Sequence, residues 1–313
     1  MNDHDVVGVP ISGRQFTISG AGYVAHLASI GATVRALQHH GRDLVVPFFA
    51  NSIRPNYRGA TLAPWPNRIV DGIYHHDGAR HRLALTEPDR GHALHGLVSW
   101  LEFLPRSVTA DAVALGAVIE PQAGYPFRLD LQVTFSITDQ GLHTEVAARN
   151  TGPDPAPFGT GPHPYLLAGR SPLDDWMLDL PAAEVMTVTP DRLIPIGIED
   201  VATANDGAFD FRGGRRIGST QIDHAFTTLA RDPAGRTTVR VLDPAGSGVH
   251  LTFGTECGWV QIHTADLPDP GSSRLGLAVE PMTCPPDAFN SRIDLITIQP
   301  GATSTISWLL GAG

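Results

Sequence analysis

From Phe127 to Ile137 the chain alternates strictly: Phe127, Leu129, Leu131, Val133, Phe135 and Ile137 are apolar, and Arg128, Asp130, Gln132, Thr134 and Ser136 between them are polar. Side chains change face at every strand residue, so this segment predicts a strand with one dry and one wet face. Thr138-Asp139-Gln140-Gly141 supplies turn residues, and Leu142 to Arg149 reads as the returning arm of a hairpin. Thr238 to Leu242 and Val249 to Phe253, joined through Asp243-Pro244-Ala245-Gly246-Ser247-Gly248, predict a second hairpin. Further strands are expected at Phe16–Ser19, Tyr23–Ala28, Val113–Ile119, Trp176–Leu180, Trp259–Thr264, Leu275–Val279, Ile293–Ile298 and Thr303–Leu310. The best helix candidate, Ile30 to Leu37, contains Gly31 and several β-branched residues and fits a strand as readily. Strands separated by turns, without alternating helices, predict an all-β fold of antiparallel sheets packed face to face.

Composition narrows this further. With 313 residues, 42% of them hydrophobic and 17% charged, the chain can fill a large core. The 33 glycines and 26 prolines are scattered singly, which means many turns and no linker. No domain boundary is visible, and residues 1–313 are expected to form one domain. A formal charge of −10 argues against a nucleic-acid surface. Only Cys257 and Cys284 are present, without CxxC spacing, so no disulfide framework is implied and a reduced cytoplasmic compartment is the simpler expectation. Met1 to Val9 lacks the layout of a secretory signal, and no apolar run approaches the length of a membrane span.

Two segments stand out chemically. In Gly159-Thr160-Gly161-Pro162-His163-Pro164-Tyr165-Leu166 a histidine lies between two prolines, each with a fixed φ. Such a segment is poor material for a central strand and good material for presenting one side chain at the mouth of a cavity. Val279-Glu280-Pro281-Met282-Thr283-Cys284-Pro285-Pro286-Asp287 sets a carboxylate before a proline in the same way. One rigid histidine and one rigid glutamate make an acid and base pair, in which opposite charges would favour each other's working form.

Other candidates carry two readings each. Arg68, in Leu62-Ala63-Pro64-Trp65-Pro66-Asn67-Arg68-Ile69, offers a fork for paired hydroxyls or a carboxylate, or is a surface arginine on a proline-rich loop. His95 is a hydrogen-bonded core histidine or a site residue. His75, His76 and His81 read as exposed loop histidines, and His92 with His95 is the only spacing that resembles a metal site. Asp223 near Phe226 is a combination that sugar sites use. His263 shares a strand face with Trp259 and Gln261 and fits a cleft or an outward polar face; Trp65, Trp100 and Trp259 fit a pocket lining or the core. No glycine-rich nucleotide loop and no GxSxG elbow is present.

In order, Pro66-Asn67-Arg68-Ile69, Leu94-His95-Gly96, Gly124-Tyr125-Pro126, His163-Pro164-Tyr165, Asp223-His224 and Glu280-Pro281-Met282-Thr283 with Pro286-Asp287-Ala288 resemble the motif series of the aldose 1-epimerase (galactose mutarotase) family. The resemblance runs from about Gly20 to the carboxyl end. Gly159-Thr160-Gly161-Pro162 and Leu166-Leu167-Ala168 depart from the commoner pattern around the histidine, and the Trp65-Pro66 pair and the run Thr283-Cys284-Pro285-Pro286 look like a bacterial mutarotase-like branch. The resemblance implies a large antiparallel β-sandwich of the galactose mutarotase-like supersandwich type, with a cleft that uses no metal and no cofactor. By motif, Glu280 would be the general base and His163 the general acid, with Arg68, His95 and Asp223 binding the hydroxyls of a monosaccharide. Neither nucleic acid nor membrane is an expected partner, and the protein is expected as a monomer or homodimer. A glycoside hydrolase pairing Glu280 with Asp223 or Asp287, and a non-catalytic sugar-binding protein, are the alternatives.

Overall fold

The alternating segment forms the strand Leu129–Thr138, whose buried positions Leu129, Leu131, Val133 and Phe135 face the core. A two-residue turn at Asp139 and Gln140 returns the chain into Gly141–Asn150, with Thr138 opposite Gly141. In this computed structural model, which describes residues 8–313, the hairpin lies within a nine-stranded sheet. Its order is Leu104–Val108, Ala112–Ile119, Leu129–Thr138, Gly141–Asn150, Thr303–Ala312, Gly248–Phe253, Thr237–Leu242, Met177–Asp179 and Arg215–Arg216. A six-stranded sheet follows the order Tyr165–Leu166, Leu277–Met282, Trp259–His263, Asp223–Leu229, Ala182–Val188 and Pro195–Asp200. Gln15–Gly20, Tyr23–Ala28, Thr33–His39 and Arg42–Asp43 make a third, four-stranded sheet. All strand pairs in these sheets are antiparallel.

Inward residues of all three sheets join one contiguous apolar core, among them Leu27, Leu131, Phe135, Phe226, Val260, Ile262 and Val279. Each fully buried Val, Leu, Ile or Phe contributes about 1.5–3 kcal/mol relative to exposure, so the β-sandwich rests on this layer. Ala288–Ser291 is the one α-helix among the described residues. No helix there is long and apolar enough to cross a membrane.

Three expectations shift. The Ile30–Leu37 segment is no helix: Gly31 and Ala32 turn the chain at positive φ, and the strand Thr33–His39 follows. The strand expected at Leu275–Val279 runs from Leu277 to Met282, so Glu280 and Pro281 lie inside it. The proline-flanked histidine segment pairs on both sides, with Gly161 and Pro162 opposite Leu62 and Thr61, and Tyr165 and Leu166 opposite Ala278 and Leu277.

Candidate functional site

The register of the six-stranded sheet builds the site. The pairs Tyr165–Ala278 and Leu166–Leu277 continue in step through the amide of Val279, which donates to the Pro164 carbonyl, and that of Thr283, which donates to the Thr160 carbonyl. In that register His163 lies opposite Glu280. Glu280 in turn lies opposite Gln261, and Gln261 opposite Ala225. One step along, Ala278 faces His263, and His263 faces Asp223. Opposed residues share a face, so His163, Glu280, Gln261, His263 and Asp223 form a polar patch on one side of the sheet, while Val260, Ile262 and Val279 point to the core. Met186, Ala225, Trp259 and Met282 close one end of the patch as a small apolar cluster.

A second wall comes from the paired strands Arg68–Val70 and His92–Leu94 and the turns beside them. Asn67 and His95 both have positive φ, and they bind each other: the His95 amide donates to the Asn67 carbonyl at 2.8 Å, and the Asn67 amide to His95 Nδ1 at 3.2 Å. The adjoining Gly96 has φ +75°, and a Cβ there would lie 2.0 Å from the Ala63 carbonyl oxygen, so only glycine fits. With Nδ1 accepting, a neutral His95 carries its proton on Nε2. Burial first, then His163 and Arg68, hold its pKa well below the usual imidazole range.

Between these walls lies a cleft of about 260 Å³. All five expected side chains, Arg68, His95, His163, Asp223 and Glu280, line it together. His163 Nε2 is 3.5 Å from Glu280 Oε1, and both side chains are almost fully buried. His163 Nδ1 and Glu280 Oε2 are buried atoms with no hydrogen-bond partner among the described residues. Burial, followed by His263, pushes the His163 imidazole down to about 3. Burial, followed by Asp223, pushes the Glu280 carboxyl well above its usual range, while Arg68 opposes this. The expected mutual support of two charges is therefore outweighed by desolvation, which favours a neutral carboxyl at Glu280 and a neutral imidazole at His163.

Arg68 is more committed than its sequence context indicates. Its Nε and Nη2 donate to both Glu87 oxygens at 2.8 and 3.0 Å, and Nη1 donates to Asn67 Oδ1 at 3.2 Å. Burial opposes its charge, but the Glu87 bonds and the nearby Asp223 raise its pKa. Nη2 also approaches Asp223 Oδ2 at 3.8 Å. Asp223 accepts from Gln261 Nε2 at 2.7 Å and lies 3.9 Å from His263 Nδ1. Burial works against the Asp223 carboxylate, yet His263 and Arg68 hold its pKa below the usual range. Aromatic rings frame the two histidines: Tyr165 stacks on His163 at 5.4 Å between centroids, and Tyr57 meets His95 edge-on at 4.7 Å.

Several sequence readings are corrected. His76 is buried, on the strand Ile73–His76, with its ring at 3.1 Å from the Pro155 carbonyl. His92 is also buried, held between the Asp71 amide and the Arg192 carbonyl. Trp65 and Trp259 belong to the interior, where their indoles donate to the Ala93 carbonyl and to Asp294. Trp100 is exposed under the Arg54 guanidinium and outside the cleft. Phe226 is in the core, so it covers no sugar face. Asp287 accepts from the Val70 amide and Asn290 and stands away from the cleft, which removes it as a second carboxylate for glycosidic cleavage. His263 does line the cleft. Glu87, Tyr57 and Gln261 escaped sequence reasoning; only Gln261 left a signal, as the polar residue between Trp259 and His263 on one strand face.

Comparison with known proteins gives the family and the fold. An uncharacterized protein of Escherichia coli K12, YihR, is 33% identical over 297 residues, covering 95% of this chain and 92% of its own length. Among solved structures, a GalM/aldose epimerase homologue from C. elegans superposes with a TM-score of 0.83 at 21% identity, covering 96% of this chain and 98% of that one. The galactose 1-epimerase of Lactobacillus acidophilus NCFM gives 0.77 at 20% identity, covering 96% and 94%; these two likenesses bear on the fold. The aldose 1-epimerase family model matches residues 14–310, and on that match the chain belongs to the aldose 1-epimerase family.

Proposed function

We propose that this protein is a mutarotase, which interconverts the α and β anomers of a free aldose. One observation carries the reading: a buried imidazole and a buried carboxyl stand opposite each other at 3.5 Å on a cleft, and each has an unpartnered polar atom. Ring opening needs one proton removed from the anomeric hydroxyl O1 and one delivered to the ring oxygen O5. As the O1–H electrons form the C1=O double bond, the C1–O5 bond breaks and its electrons accept the delivered proton. Rotation about C1–C2 and the reverse transfers then produce the other anomer. The base ends protonated and the acid deprotonated, and closure restores both.

A pair holding one proton suits this sequence. Moving that proton from Glu280 to His163 yields the carboxylate that takes the O1 proton and the imidazolium that protonates O5. Arg68 favours the carboxylate form. Each positioned transfer supplies roughly 10²–10⁴-fold, and the uncatalysed reaction already proceeds in water. Arg68, Asp223 and the His95 Nε2–H are then placed to hold ring hydroxyls, donating and accepting around the sugar. Freshly dissolved pure anomers of glucose and galactose, followed by polarimetry, test the reading. Equilibration faster than buffer is expected, and it must vanish when C1 is blocked as a methyl glycoside. Release of reducing sugar from that glycoside would instead mean a glycoside hydrolase.

A further inference from the structure

Beside the turn that joins Tyr23–Ala28 to Thr33–His39 lies another cavity, of about 230 Å³, which shares no lining residue with the cleft. Ile11, Phe48, Ile53 and Trp100 bring apolar surface to it, and Ile11, Ile53 and Trp100 are exposed, so its rim is apolar too. Apolar side chains gathered at one mouth mark binding surfaces, whereas single scattered ones do not. Set into this apolar lining is Arg54, only 5% exposed. Its Nη1 donates to Thr33 Oγ1 at 2.7 Å and to the Ile30 carbonyl at 3.2 Å, and Nη2 donates to the Ser99 carbonyl. All three acceptors are neutral, and no carboxylate among the described residues pairs with the guanidinium. Burial pushes it down to about 10, and arginines this deep are ordinarily paired. A guanidinium has five N–H donors, so the Nε proton, buried without a partner, and one on Nη2 remain. In Arg68 the same two atoms grip both oxygens of Glu87. Arg54 has the fork without the carboxylate.

We propose that this cavity is a second binding site, for a small aromatic monocarboxylate whose ring lies among Ile11, Ile53 and Trp100 and whose carboxylate faces Arg54. The hydroxyls of the lining have committed their protons, Ser12 to the Ala50 carbonyl and Thr33 to the Ile30 carbonyl, each at 2.7 Å. The side-chain donors left are N–H groups of Arg54 and the Trp100 indole, which suit a head that accepts without donating and brings the missing countercharge. The Trp100 ring stacks 4.6 Å from Arg54 Cζ and is exposed. Exposed side chains change rotamer within nanoseconds, so this ring can shift to admit the anion and then pack on the guest's ring. Drug-sized ligands fill about 300–1,000 Å³, so this smaller space limits the guest to a single ring. With no residue in common with the cleft, the site holds whatever reaction the cleft carries out.

Benzoate is the probe, compared with benzamide, which keeps the ring without the charge, and with acetate, which keeps the charge without the ring. Trp100 is the reporter, because Trp65, Trp176, Trp259 and Trp308 are all buried. Titrating the full chain with benzoate should change its fluorescence saturably, with a Kd of roughly 1 mM for so few atoms. Benzamide and acetate should bind at least about tenfold more weakly, one lacking the charge-assisted contact and the other the apolar burial. Trp100→Phe should remove the fluorescence change while calorimetry still detects benzoate binding. Ile53→Asp, at an exposed position, sets a fixed negative charge at the mouth and should weaken benzoate by roughly tenfold at unchanged Tm. Arg54→Gln should bring benzoate to the benzamide level; because Arg54 also holds Thr33 and Ser99, Ile53→Asp decides the matter if that variant does not fold. No saturation by roughly 50 mM benzoate, equal affinity for benzamide, a fluorescence change that survives Trp100→Phe, or an affinity untouched by Ile53→Asp would each overturn the site.

Discussion

The opposed shifts of His163 and Glu280 have a consequence for stability that can be measured without substrate. In the unfolded chain the imidazole titrates near 6.5 and the carboxyl near 4.5. The folded carboxyl, its pKa raised by burial, holds above pH 4.5 a proton that the unfolded one has lost, so its contribution to stability falls as pH rises through that raised value, and the lowered imidazole acts in the opposite sense. Below pH 4.5 the unfolded pair gains a second proton, but the folded imidazole resists it down to about 3. The unfolded state then binds more, and stability falls as pH drops.

The slope on the acid flank is about 1.4 kcal/mol per pH unit. For a chain of 313 residues that corresponds to about 2 °C in Tm per unit. The reference is the double variant Glu280→Gln/His163→Asn, which keeps both shapes and titrates at neither position. Tm of wild type minus Tm of the variant, taken by scanning calorimetry down to about pH 3.5, should decline as pH falls below 4.5, where the imidazole alone binds fewer protons folded than unfolded. ¹⁵N shifts of the imidazole report its charge directly, with a neutral ring expected. A difference curve that stays level below pH 4.5 would refute the reasoning, because the folded imidazole would then be gaining its proton as freely as the unfolded one.

Glu280→Gln and His163→Asn should each lower the catalysed interconversion rate by roughly 10²-fold or more; the double variant should be little worse than the worse single one, because opening needs both transfers. Progress curves on the best sugar measure this, and near wild-type rates in both single variants would exclude the pair. Asp223→Asn should raise KM by about 10- to 100-fold, the cost of one charge-assisted hydrogen bond, with kcat far less affected; lost turnover at unchanged affinity would make Asp223 a proton-transfer group. Gly96→Ala should lower stability by roughly 2 kcal/mol or more, since both the Ala63 carbonyl and the left-handed backbone oppose a Cβ, and an unchanged Tm would count against that packing.

What the sequence made legible follows from how local each signal is. The Leu129–Thr138 hairpin and the one at Thr237–Phe253 declare themselves through alternation and turn residues within about two dozen positions. Strands of two or three residues, such as Thr61–Leu62, Arg68–Val70 and His92–Leu94, carry too few positions for a period, and pairing with distant segments alone defines them. The motif series pointed to Arg68, His95, His163, Asp223 and Glu280, but not to their couplings. The carboxylate that holds Arg68 is Glu87, 19 residues away across a turn with no periodic pattern. His76 sits in a polar-looking run, yet its strand turns it under Pro155.

The prolines around His163 gain a meaning that their own sequence context does not give. Continuing the register of Tyr165 with Ala278 sets Pro162 opposite Pro281 and Pro164 opposite Val279. The amides of residues 162, 164 and 281 would all point into the gap between these two strands, and all three positions are proline, so most of the ladder is missing where His163 faces Glu280. The His163 amide points the other way and donates to the Ala60 carbonyl, while the Gly59 amide donates to the His163 carbonyl. A slip of one residue would turn the imidazole towards the core and break both of these bonds. The segment is therefore positioned from the Ala60 side and by its own fixed φ angles, with the Val279, Thr283 and Thr160 amides bridging the two strands near this point. With so few backbone bonds between them, the His163–Glu280 separation of 3.5 Å is set by packing, including the Tyr165 ring on the imidazole. Under the mutarotase reading proposed above, that leaves the distance free to adjust on sugar entry, while the face each side chain presents stays fixed.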